Sequence, residues 1–169
     1  FFMLRTLTIR DFVIVDTIEL EFARGFSVFT GETGAGKSIL IDALQLALGG
    51  RGDASMVREG AAKADISADF ALTEAATSWL EQHEFAVDEG GALLRRVIYN
   101  AGRSKAYING IAATAGQLRE LGHDLRSLLA AAEECGLESI GSRRFRLAVL
   151  GANYEDRLFA YPEEGNLNV

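Results

Sequence analysis

Between Met3 and Arg10, Leu7 and Ile9 alternate with Thr6, Thr8 and Arg10, the period-two pattern of a half-buried strand. After Asp11-Phe12 a second run sets Ile18, Leu20 and Phe22 against Glu19 and Glu21. The two predict an antiparallel pair with one buried face. Ala23-Arg24-Gly25 predicts a turn, and the apolar stretch from Phe26 to Thr30 a short central strand. From about Lys37 to Leu48 only Asp42 and Gln45 interrupt Ile39, Leu40, Ile41, Ala43, Leu44, Leu46, Ala47 and Leu48. A helix apolar nearly all round belongs inside the molecule, and Gly49-Gly50 stops it.

Residues 51–64 read as a polar loop. A strand follows, with Ile66, Ala68, Phe70 and Leu72 on one face. Thr73 predicts an N-cap for a short helix from Glu74 to His83, and Thr114 one for a helix ending near Leu121. Between them Leu93–Tyr99 and Lys105–Ile108 predict strands around a turn over 100–104, and Asn109-Gly110 is a second turn signal. Beyond Leu125 the pattern weakens. Arg126–Glu134 reads as helical, Arg144–Leu150 as strand or helix, and the end from Tyr154 as loop.

Length and composition narrow the class. The 169 residues, 49% apolar, predict one domain with a real core. Area scaling gives a folded surface of roughly 8,000 Å² against about 26,500 Å² for the open chain. One cysteine, Cys135, excludes an internal disulfide framework. No apolar run approaches a membrane span and no signal-peptide pattern opens the chain, so a cytoplasmic protein with no membrane partner is expected. The net charge of −7 argues against coating nucleic acid through bulk positive charge. Phe1 and Phe2 precede Met3, where the regular pattern begins, and read as an added remnant.

Chemistry enters at residues 31–38. Gly31-Glu32-Thr33-Gly34-Ala35-Gly36-Lys37-Ser38 fits G-x-x-x-x-G-K-[ST] in full, between a buried strand and a helix. Glycines at these points let the backbone approach closely and turn successive amides inward as an anion nest. The helix N-terminus adds partial positive charge. Lys37 is placed to reach the β- and γ-phosphates, and the Ser38 hydroxyl to bind Mg²⁺. A chance match in this length is on the order of 1%. A nucleotide phosphate with Mg²⁺ is therefore expected, and the motif alone does not separate ATP from GTP.

The segments LRTLTIRDFVIVDTIELEF, GFSVFTGETGAGKSILIDALQLALGGR and GRSKAYING together resemble the N-terminal head segment of the RecN family. These are bacterial DNA-repair ATPases related to SMC and ABC-type ATPases, and the resemblance covers residues 3–125. It implies an α/β P-loop NTPase of ABC/SMC type: an N-terminal head lobe with a mixed sheet under the P-loop helix and an antiparallel β-layer. It implies, as partners, a C-terminal head lobe and coiled coil of the same protein, a second head in an ATP-dependent dimer, and DNA. The function implied is DNA double-strand break repair and recombination, in the cytoplasm at the nucleoid. Gly31 to Ser38 carry over as the Walker A site. Arg51 matches the position of an arginine near the nucleotide in SMC-like heads, and Arg10 with Asp11 is placed by the resemblance near the base.

Other parts of the machine are missing. The family continues after Leu125 into a His-Gly-Gln stretch, whereas this chain gives Arg126-Ser127-Leu128-Leu129. The signature motif and the Walker B acidic pair are absent too. Without a group to hold Mg²⁺ and position water, phosphoryl transfer loses much of its acceleration. The expectation is a chain that binds ATP and does not hydrolyse it efficiently, with residues 126–169 as a tail departing from the family pattern. The alternative is a self-sufficient P-loop kinase acting on a small molecule, which calls for a lid with arginines and an acceptor-site base. Arg51-Gly52-Asp53 is read as a coincidental adhesion tripeptide. His83 and His123 stand alone, so no metal cluster is expected from them. Arg95, Arg96, Arg103 and Lys105 flank a hairpin and read either as a small basic ridge for DNA or as a solvated hairpin.

Overall fold

The structure is a computed structural model. It describes residues 3–22, 27–28, 34–87, 91–123 and 148–149, with the backbone alone given for 3, 27–28, 34–37 and 148–149. Strand β1 (Met3–Phe12) and strand β2 (Val15–Glu21) pair antiparallel, Ile9 opposite Ile18 and Leu7 opposite Leu20. The alternation that predicted this pair continues two residues further, to a buried Phe12.

Strand β3 (Ser27–Val28) precedes helix α1 (Gly34–Ala47), which starts three residues before the expected Lys37. Leu44 and Leu46 are buried in its C-terminal half and Leu48 just beyond its end, each worth about 1.5–3 kcal/mol of apolar burial. Strand β4 (Lys63–Ala71) buries Ala64, Ile66, Ala68 and Phe70, and Leu72 lies just beyond its end. Helix α2 (Glu74–Gln82) opens on Thr73, whose hydroxyl accepts from the Ala76 amide at 3.2 Å.

Strands β5 (Gly91–Tyr99), β6 (Ser104–Ile108) and β7 (Ile111–Ala113) form a meander, followed by helix α3 (Ala115–Leu121). Asn109 and Gly110 both have positive φ, 47° and 79°, the mirror-image turn that matches strand twist. Strand β8 (Ala148–Val149) pairs antiparallel with β3.

The six longer-paired strands make one antiparallel sheet in the order β2-β1-β4-β5-β6-β7. This is the expected antiparallel layer. Of the expected mixed sheet, the described residues hold only the antiparallel pair β3-β8. One face of the large sheet carries Leu7, Ile9, Ile66, Phe70, Leu94, Ile98 and Ile108 into a single core shared with α1, Leu80 of α2 and Leu118 of α3. The other face is polar, as one side of an antiparallel sheet can be. Phe1–Phe2, Ala23–Phe26, Phe29–Thr33 and the readings for 126–147 and from 150 onward lie outside the described residues.

Candidate functional site

The strand–loop–helix setting of the motif is formed by β3 and α1. Gly31, Glu32 and Thr33 lie outside the described residues. Gly34, Ala35, Gly36 and Lys37 are the first turn of α1, whose amides have no intrahelical acceptors. That turn contains no acidic residue, so nothing on the helix competes with an anion for its positive end. Ser38, in the second turn, is exposed. A fourteen-residue helix anchored by its buried C-terminal half thus presents its N-terminus at the motif. This donor set fits a nucleotide phosphate with Mg²⁺. Among the described residues no group of three His, Cys, Asp or Glu side chains could hold a metal by itself.

The two outlying arginines are not gathered at that end of α1. Arg51 is exposed and stands four residues past the opposite end of the helix, which is about 21 Å long. Its charge helps hold the Asp53 carboxyl below its ordinary value, after the larger effect of hydrogen bonds from Ser55. Arg10 sits within β1 rather than after it, opposite Thr17 and Asp65 on the polar face of the sheet, with the core and α1 on the other side.

Period two also divides the proposed basic ridge. Arg95 points to the polar face, where Nε and Nη2 bond both oxygens of Asp65 at 2.8 and 2.5 Å and the guanidinium lies 5.8 Å from the Tyr107 ring. Burial pushes the Asp65 carboxyl up. The Arg95 hydrogen bonds, with the charges of Arg95, Lys63 and Arg10, outweigh that and leave it below its ordinary value. Arg96 faces the core at 7% exposure. Lys105 lies 5.9 Å from the Tyr99 ring and Arg103 is exposed in the turn. A continuous ridge of four cations is therefore not formed.

Sequence reasoning missed a clasp on the first hairpin. Asp11 and Val13 have φ of 51° and 54°, a left-handed conformation rare for a β-branched residue. The segment after α1 holds them. Val13 N–H donates to the Met56 carbonyl, and Arg58 N–H to that of Asp11, both at 2.8 Å. The Arg58 side chain bonds Asp11 at 2.8 Å and Asp16 at 3.1 Å. No local sequence signal pairs residues 47 apart.

The residues that form the hairpin, the P-loop helix and the meander match one known family over residues 6–120, described as an AAA domain. The chain belongs to the AAA domain family. Within that family it is 50% identical over 122 residues to DNA repair protein RecN of Vibrio cholerae, covering 71% of this chain and 22% of that protein. It is 43% identical over 152 residues to DNA repair protein RecN of Xylella fastidiosa strain 9a5c, covering 89% of this chain and 27% of that one. The second match is longer than the segment 3–125. The chain thus spans about a quarter or less of these relatives' length. A chain solved in work on ATP-driven dimerization and DNA-stimulated activation of SMC ATPases superposes with a TM-score of 0.60 at 23% identity, covering 72% of this chain and 78% of that one. The AAA domain fold here is therefore that of an SMC-type ATPase head, and the expected resemblance to RecN holds.

Proposed function

We propose that this chain is the ATP-binding N-terminal lobe of a RecN-like SMC-family ATPase acting in DNA double-strand break repair and recombination. The observation that carries the reading is the first turn of α1, Gly34–Lys37, lying inside a complete phosphate-binding motif and free of acidic residues. In this reading the motif Gly31 to Ser38 would hold the phosphates, Lys37 would neutralise the β- and γ-oxygens, and the Ser38 hydroxyl would take Mg²⁺. Mg²⁺ supplies charge neutralisation across the phosphates when bound.

This lobe binds ATP and leaves it intact, because its sequence contains no Walker B acidic pair and no His-Gly-Gln stretch. Hydrolysis belongs to a head completed by a C-terminal lobe carried on a coiled coil, and to two heads engaged around ATP. Similarity to RecN chains and to an SMC ATPase head supports that assembly. DNA is contacted by the assembled protein. Arg51 and Arg10, distant from the α1 N-terminus within the lobe, reach nucleotide only in such an assembly. No described helix is long and apolar enough to cross a membrane, and a cytoplasmic, nucleoid-associated protein suits the reading.

Adding the C-terminal half of the head in trans tests it. ATP turnover appearing only on addition supports a split head; turnover by this chain with a small-molecule acceptor supports a kinase instead.

A further inference from the structure

Among the described residues, Arg96 is the only buried polar or charged residue, at 7% exposure. Its register opposite Ile66 of β4 and Ala106 of β6 sends the side chain to the core face of the sheet. The Nε has no hydrogen-bond partner, and no described carboxylate forms an ion pair with the residue. The charge that acts on it is of its own sign: burial, then Arg119 of α3, lowers its affinity for the proton. Arg119 in turn donates from Nη1 to the Gly49 carbonyl at 3.0 Å, just past the end of α1. Two guanidinium groups of like charge therefore act on each other at the seam of β5, α3 and the C-terminal end of α1.

A guanidinium does not escape by losing its proton. Burying the Arg96 Nε without an acceptor is costly, and native proteins pair such groups. No partner lies among the described residues, and the relatives this chain matches carry more than twice its length of further chain. We propose that Arg96, flanked by Arg119, receives a side-chain carboxylate from the part of the RecN-like polypeptide that packs on this lobe. The planar fork of Arg96 matches a carboxylate with two parallel hydrogen bonds. The proposal rests on the reading of this chain as one lobe of a larger head.

Thermal melts of the 169-residue chain in sodium acetate and in sodium chloride, at matched ionic strength, test it with acetate as the carboxylate probe. In acetate the wild type should gain about 2 °C or more beyond any gain of Arg96→Met. In chloride Arg96→Met should melt above the wild type, since it removes an unpaired buried charge. Arg103→Met, which removes an exposed turn arginine, should keep the acetate response. Equal acetate gains in wild type and Arg96→Met overturn the proposal. So does an Arg96→Met chain melting below wild type in chloride, because the arginine would then already be satisfied within this chain. ATP binding measured on the same samples separates the two readings. Intact binding without an Arg96-dependent acetate response removes the docking site alone, and lost binding with that response removes the nucleotide reading alone.

Discussion

Asp65 is the charged centre of the polar sheet face. Arg95 grips both its oxygens, Lys63 lies 3.7 Å away and Arg10 stands opposite in register. Its folded carboxyl is held below its ordinary value, so its contribution is fully present above the ordinary carboxylate range and is lost as pH falls through the lowered folded value. Asp65→Asn should cost on the order of 1 kcal/mol at pH 7. Urea unfolding of both proteins at pH 7 and pH 3 should show that gap closing in acid. Gly49 makes a second residue-scale case. It has φ of +85°, and an added Cβ would fall on the Ala115 carbonyl oxygen and 2.9 Å from the Arg119 amide. Gly49→Ala should therefore cost about 2–4 kcal/mol in the same assay. Sequence showed Gly49 as a helix stop, and not as the point where α3 closes on α1. Arg95 and Arg96 teach a related lesson: neighbours in a strand leave on opposite faces, so adjacency in sequence did not make them a ridge.

At the scale of elements, the signals that act within a few residues were readable. Thr114 caps α3 through a full capping box, its hydroxyl accepting from the Gln117 amide at 3.1 Å while Gln117 Oε1 accepts from the Thr114 amide at 2.9 Å. Thr114→Ala should lower stability by about 1 kcal/mol, checked by denaturant midpoint, with Leu118 and the rest of the core intact. The alternation of β4 and the Asn109-Gly110 turn were readable for the same reason. Strand β7 was not, because three residues, Ile111–Ala113, are too few to show a period. The start of α1 at Gly34 was not either. Glycine lowers helix propensity, so Gly34 and Gly36 read as loop, whereas the structure makes them the helix's opening turn.

For the whole molecule, the resemblance carried by the motif and its flanking segments implied the fold class, but strand order required contacts distant in sequence. β1 lies between β2 and β4, and α1 enters the chain between those two neighbours of β1. The crossover covers the core face of the sheet with α1, which leaves the helix buried at one end and its other end at the phosphate motif. On the proposed reading that arrangement serves as a nucleotide cradle, without the acidic and water-positioning groups of a complete ATPase. Calorimetric titration of the purified chain with ATP, with and without Mg²⁺, alongside Lys37→Ala and with phosphate release followed in the same samples, tests this most directly. The account predicts Mg²⁺-strengthened binding, at least about tenfold weaker in Lys37→Ala, and no sustained phosphate release. Binding indifferent to Lys37→Ala, or robust Lys37-dependent turnover by this chain alone, would contradict it.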